Sequence, residues 1–220
     1  LKGYIFQSKN NLIEALDCFK SALRINSKNI EAKNNLGLIY QNVNKLSLAS
    51  NCFNECIKIN PNYVNSIFNL AKLKVITNNI DEAILLFEKI IKINENFEAI
   101  HIHLSQAYQN TGQFNKAEKT LTEALKKFPL LTKADKLLSM QTNYSKDDKH
   151  LSLMIKKFNN YKLDDDQKID LSFAIGKAYE DKKEFSKSFD FYFKGNSLKK
   201  KKTKFDINNQ IKLFKSIKNN

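Results

Sequence analysis

Residues 30–63 read IEAKNNLGLIYQNVNKLSLASNCFNECIKINPNY. Leu36 and Tyr40 lie one helical turn apart, and Ala49, Phe53 and Cys56 are spaced four and three. Both spacings put side chains on one helix face, so the stretch predicts two amphipathic helices joined by a tight turn, with Pro61 ending the second. The pattern returns every 34 residues at Ala15, Ala49, Ala83 and Ala117, at Phe19, Phe53, Phe87 and Leu121, and at Ala22, Cys56, Ile90 and Ala124. Leu36, Leu70 and Leu104 repeat in the first helix, with Tyr40 and Tyr108 one turn on, and Pro61 and Pro129 are the only prolines. Small residues let two helices approach, and the large residue fills the space beside them. One such hairpin cannot bury its apolar face alone, whereas stacked hairpins bury a continuous core.

A period of this length with this small–large–small pattern resembles the tetratricopeptide repeat (TPR). The resemblance implies an all-α, right-handed superhelical solenoid of helix hairpins. It divides the chain into four repeats over residues 1–131, the first truncated, with boundaries near 30, 64 and 98. Residues 132–168 form a degenerate helical repeat, 169–202 a final TPR-like repeat and 203–220 a C-terminal capping or linker helix. Asn10, Asn44, Asn78 and Gly112 fall at the turns inside the hairpins, where left-handed backbone is needed. Asp164, Asp165 and Asp166 read as a helix cap followed by first-turn acids, and Asp147-Asp148 as a helix opening. Leu1 stands inside a helix already under way, so the sequence is expected to be part of a longer protein.

Residues 171–198 read LSFAIGKAYEDKKEFSKSFDFYFKGNSL. Phe173, Ala174, Gly176, Lys177, Ala178, Tyr179, Glu180 and Asp181, then Phe189, Gly195, Asn196, Leu198 and Lys199, resemble the junction between repeats and catalytic domain in bacterial TPR-sulfotransferase proteins. Ile175 and Ser188 depart from that pattern, where the family has Leu and Ala. The resemblance implies a parent enzyme whose catalytic domain follows the junction and uses 3′-phosphoadenosine 5′-phosphosulfate. No cofactor is assigned to these residues themselves. The glycines Gly3, Gly37, Gly112, Gly176 and Gly195 all stand in hairpin contexts, and no strand with a phosphate-cradling turn occurs.

The 37 Lys and Arg against 23 Asp and Glu give a net charge of +14. Such a charge attracts polyanions, and an RNA- or polyanion-binding repeat is the weakest of the three functional readings. Arg24 is the only arginine, although arginine is the usual reader of phosphates and base edges. The joint abundance of Lys, Asn and Ile reads as a coding bias, so no specific nucleic-acid partner is assigned. No apolar run is long enough to span a membrane, and no membrane partner is assigned. Cys18, Cys52 and Cys56 are an odd number in helices, which fits a reducing, cytoplasmic location. Cys52 and Cys56 are one turn apart but have no second ligand pair nearby, so they read as packed thiols.

Catalytic constellations are not legible. His101 and His103 point to different sides of a helix, and His150 stands alone. Glu82 and Glu88 read as surface acids. The lysine run Lys199–Lys202 reads as a solvated linker, with an anionic partner or a membrane surface as alternatives. Binding remains. The TPR resemblance places ligands on the first helix of each repeat, here at Asn34, Leu38 and Gln41, at Phe68, Lys72 and Val75, and at Ile102, Gln106 and Gln109. These residues are amide-rich, neutral and partly apolar, which suits the backbone of an extended peptide. Lys72 and Asn34 alone do not complete a carboxylate clamp. The expected function is therefore a non-catalytic interaction module that positions a polypeptide or glycan acceptor, or a protein partner, in a sulfotransferase-like protein. A free-standing TPR adaptor or scaffold is the alternative, and the oligomeric state is open.

Overall fold

The structure, a computed structural model, describes residues 12–146 and 148–203. The described residues form helices and connecting turns only. In order these are α1 (Leu12–Ile25), α2 (Ile30–Asn42), α3 (Leu46–Ile59), α4 (Val64–Ile76), α5 (Ile80–Ile93) and α6 (Ala99–Asn110). Then follow α7 (Phe114–Lys127), α8 (Thr132–Gln141), α9 (Lys149–Asn160), α10 (Asp165–Asp181) and α11 (Phe185–Lys202). The fold class is the all-α solenoid of helix hairpins that the period predicts. Two compact units divide inside α7, one comprising residues 1–120 and the other 121–220. The sequence-predicted turn at Asn10 lies outside the described residues, as does the C-terminal capping or linker helix over 203–220 from residue 204 on.

In the first unit each helix packs on its successor from α1 to α6. Ala15, Ala49, Ala83 and Ala117 are all fully buried, which is why a small residue recurs there. Phe19, Phe53 and Phe87 are buried beside them. Full burial of such a ring contributes roughly 1.5–3 kcal/mol. The largest cluster joins Ile67, Phe87, Ile90, Ile100 and Leu104 across α4, α5 and α6. In the second unit α8 and α9 pack against α10, and α10 against α11, around Tyr144, Leu151, Met154, Leu163, Leu171 and Ile175.

Four hairpins turn in the same way. Asn44, Asn78, Gly112 and Lys183 have φ of 57°, 59°, 73° and 59°. At each, the next amide reaches back five residues: Lys45 to Tyr40, Asn79 to Lys74, Gln113 to Tyr108 and Glu184 to Tyr179, at 2.8–2.9 Å. This left-handed cap satisfies carbonyls that a helix end leaves open. Between hairpins a second device recurs. The side chains of Asn26, Asn60 and Asn94 accept from the amides of Lys28, Asn62 and Asn96 at 3.0–3.1 Å. Part of the asparagine abundance is thus structural, through turns that an asparagine side chain closes on its own backbone. At the start of α10, Asp164 accepts from the Gln167 amide at 2.8 Å, and Gln167 accepts from the Asp164 amide at 3.0 Å. This reciprocal cap is the role the acidic triplet predicts.

The lysine run differs from its reading as a linker. Lys199–Lys202 form the last turn of α11, where cations complement the helix dipole. Lys202 donates to Asp166 at 2.5 Å.

Candidate interaction face on the first helices of the amino-terminal unit

The nine candidate residues stand on α2, α4 and α6, and the structure separates them. Asn34, Phe68 and Ile102 occupy one repeat position. Asn34 is 6% and Ile102 3% exposed, so neither meets solvent as expected of a ligand-binding residue. The Asn34 carboxamide oxygen accepts from Ser66 Oγ at 2.9 Å and from Asn69 Nδ2 at 3.0 Å. This position therefore packs one first helix against the next. Phe68 is only half buried and anchors a ring cluster, with its centroid 6.3 Å from Phe87, 5.4 Å from Phe97 and 5.1 Å from His103.

The positions one and two turns further along are more open. Lys72 is exposed, with its ammonium 5.5 Å from the centre of the Phe68 ring. Such a contact is worth roughly 0.5–1 kcal/mol at an exposed site. Leu38, Gln41, Val75, Gln106 and Gln109 are half buried. Leu38 packs beside Phe53 and Leu70, and Val75 beside the Ile67–Phe87 cluster. No hydrogen bond among the described residues engages the side-chain amides of Gln41, Gln106 or Gln109. An amide carries both donors and an acceptor, which is the complement of an extended backbone. The face thus combines a ring with a cation over it, apolar stems and uncommitted amides.

Two readings of isolated residues are corrected. His150 does not stand alone. Its Nε2 lies 3.0 Å from Asp135 Oδ1, and its Nδ1 2.6 Å from the Tyr144 hydroxyl. Lys157 donates to both oxygens of Asp135 at 2.8 Å. Asp135 is fully buried and Tyr144 is 1% exposed, which closes this relay to a substrate and makes it a polar core. Burial, which disfavours the charged phenolate, pushes the Tyr144 hydroxyl up. Asp135 and His150 are 15 residues apart on different helices, so no local pattern announces them. Glu88 is likewise no ordinary surface acid: it accepts from the Tyr108 hydroxyl at 2.5 Å and ties α5 to α6. Burial, then the Glu88 carboxylate, pushes the Tyr108 hydroxyl up to about 12.

Cys18 and Cys52 are half buried and Cys56 is buried; all three are free thiols. Cys56 Sγ faces the Ile30 carbonyl at 3.5 Å. Burial first, then the nearby Glu55 carboxylate, pushes the Cys52 thiol up to about 11. Among the described residues no three His, Cys, Asp or Glu side chains gather as a metal cluster. No described helix is long and apolar enough to cross a membrane.

Comparison with known proteins agrees with this architecture. Family models of the tetratricopeptide repeat match residues 3–44, 30–63 and 75–140. No curated protein matches the chain in sequence. Among solved structures the chain is similar to MamA, at 16% identity and a TM-score of 0.56, over 92% of this chain and 97% of that one. It is also similar to YrrB, a TPR protein with an unusual peptide-binding site, at 18% identity and a TM-score of 0.60, covering 84% and 93%. A tetratricopeptide repeat protein from Parabacteroides merdae matches at 20% identity and a TM-score of 0.60, covering 89% and 75%. At these identities the likeness concerns the fold alone. Over the residues that the repeat models match, with helix hairpins of the same build, the chain is a tetratricopeptide-repeat protein.

Proposed function

We propose that the chain is a protein-interaction module that holds an extended peptide segment against α2, α4 and α6. The observation that carries this reading is the face formed by Phe68, Lys72 and the unengaged amides of Gln41, Gln106 and Gln109. The amides bond the peptide backbone, and the Phe68–Lys72 pair takes one side chain. Leu38 and Val75 border the same face. The reducing, cytoplasmic location inferred from the free thiols belongs to this proposal.

A random dodecapeptide display library selected on the immobilised full chain tests it. Enriched peptides that lack Asp and Glu, labelled and titrated by fluorescence anisotropy, are expected to bind Phe68→Ala and Gln106→Ala about tenfold more weakly, or about 1.4 kcal/mol. Circular dichroism confirms that both variants keep their helix content. Unchanged affinity in both variants refutes the assignment of this face.

The segment 171–198 supports a more specific reading, in which the module positions an acceptor for a sulfotransferase-like catalytic domain. Reading the coding frame past Asn220 tests it. A strand followed by a Gly/Ser/Thr-rich turn opening a helix supports the reading, and an early stop codon leaves the free-standing adaptor.

A further inference from the structure

The carboxy-terminal unit has a pocket of its own, of about 310 Å³, between α8, α10 and α11. Its walls include Lys136 and Met140 from α8, Phe173 and Lys177 from α10, and Tyr192 and Lys199 from α11. Two of the three ammonium groups are fixed in place. Lys136 is held by Asp170 at 3.0 Å and lies 5.3 Å from the Phe173 ring centre. Lys177 donates to Asp181 at 2.6 Å and to the Thr142 carbonyl at 2.5 Å. An ammonium has three donors, so each keeps at least one beyond these bonds. Lys199 is exposed, and among the described residues no carboxylate pairs with it. The local acids are Asp170, Asp181 and Glu180, the last accepting from the Tyr192 hydroxyl at 2.8 Å. Lys136 and Lys177 are balanced by Asp170 and Asp181, which leaves Lys199 as the unpaired pocket cation among the described residues. The remaining surface is apolar: the Phe173 and Tyr192 rings stand 6.2 Å apart, and Met140 is 62% exposed.

We propose that this pocket binds an acidic side chain of a peptide ligand together with the apolar residue beside it. Lys136, Lys177 and Lys199 take the carboxylate. Met140, Phe173 and Tyr192 take the apolar neighbour. The proposal rests on the peptide-binding reading but uses a different unit of the chain, which keeps the two separable. Asp170 and Asp181 position the Lys136 and Lys177 ammonium groups before the ligand arrives, which lowers the ordering cost of binding.

The selected dodecapeptide pool provides the probe. Peptides pairing Asp or Glu with an adjacent apolar residue are expected to be enriched. Their affinity should fall about tenfold on Lys199→Glu and on Lys136→Met, and in the peptide's own Glu→Gln counterpart. Phe68→Ala should leave these peptides unaffected. Lys199→Glu alters an exposed side chain without a carboxylate partner, so it tests the pocket without unfolding it. Acidic peptides that bind both lysine variants unchanged overturn the proposal. So does their loss on Phe68→Ala alone, which leaves the first-helix face standing. A library that yields no binder refutes both. Displacement of the acidic peptides by oligouridylate at 300 mM salt also overturns the proposal, because it assigns the pocket to a polyanion.

Discussion

Replacing Gly37 with alanine tests the packing rule on which the repeat rests. A Cβ at Gly37 would stand 2.6 Å from Phe53 Cε1 and 3.0 Å from its Cδ1 and Cζ. Carbon atoms in contact sit about 3.5 Å apart or more, so the ring must retreat by about 0.9 Å. Phe53 is fully buried and has no solvent side to retreat to. Overpacking of this kind costs about 1–3 kcal/mol, and alanine returns about 1 kcal/mol through its better helix propensity. We expect Gly37→Ala to destabilise the amino-terminal unit by up to about 2 kcal/mol. Hydrogen exchange of the α2–α4 amides reads that unit separately from the rest of the chain. Gly112→Ala is the contrasting case. Nothing lies within 4 Å of its Cβ, and its φ of +73° alone opposes the change, at about 1 kcal/mol. The decisive comparison is the cycle with Phe53→Leu. The smaller side chain should relieve the alanine, giving a coupling of about 1 kcal/mol between the two sites. Additive effects of the two substitutions refute the argument that the close approach at Gly37 sets the hairpin geometry.

Four further outcomes follow from the geometry. Asp135→Ala strands half-buried Lys157 and His150 and should cost up to roughly 3 kcal/mol in thermal melts, whereas Asp135→Leu with Lys157→Met should recover most of it. Lys183 carries a left-handed φ of 59° on a side chain ill suited to it, so Lys183→Gly should raise stability by about 0.5–1 kcal/mol in urea denaturation. Because the Tyr108 hydroxyl is pushed up to about 12, its contribution to stability is present below pH 10 and is lost as pH rises toward 12. Glu88→Gln should lower the tyrosine titration midpoint read by ultraviolet absorbance. With its thiol pushed up to about 11, Cys52 should alkylate slowly in the folded chain at pH 8 and rapidly in urea, as read by peptide mass mapping.

The helices and their turns were legible because each has a local cause that recurs. The fully buried alanines, the enclosed phenylalanines and the left-handed Asn44, Asn78 and Gly112 all follow from the period. Lys183 escaped notice because nothing in a lysine announces a positive φ; its place four residues after Tyr179, as Asn44 follows Tyr40 and Gly112 follows Tyr108, was the available signal. The interaction face was only partly legible. Asn34, Leu38 and Gln41 share a stripe of one helix, and helical spacing cannot tell which end of that stripe the neighbouring first helix covers. The structure answers through Ser66 and Asn69, which close over Asn34. Contacts between distant polar residues, such as Asp135 with Lys157, leave no trace in a periodicity.

The carboxy-terminal unit departs from the repeat consensus without leaving the repeat geometry. Lys136 and Asp170 are 34 residues apart, as are Lys182 and Asp148. Lys177 and the Thr142 carbonyl are 35 apart, and the Tyr144 amide and Asp181 carboxylate 37. These are separations of one repeat, and Lys136 and Asp170 continue the first-helix position that Asn34, Phe68 and Ile102 hold in the amino-terminal unit. The substitution has an energetic consequence. An apolar contact stabilises regardless of salt, whereas an exposed ion pair contributes at most about 1 kcal/mol and is screened. Lys182–Asp148 and Lys202–Asp166 stand at the surface and fade with ionic strength; Asp135, fully buried between Lys157 and His150, does not. The unit should therefore loosen with salt at its edges while its centre holds. Its pocket lysines are then the groups most sensitive to what binds them, because the same carboxylates that position them compete with the ligand.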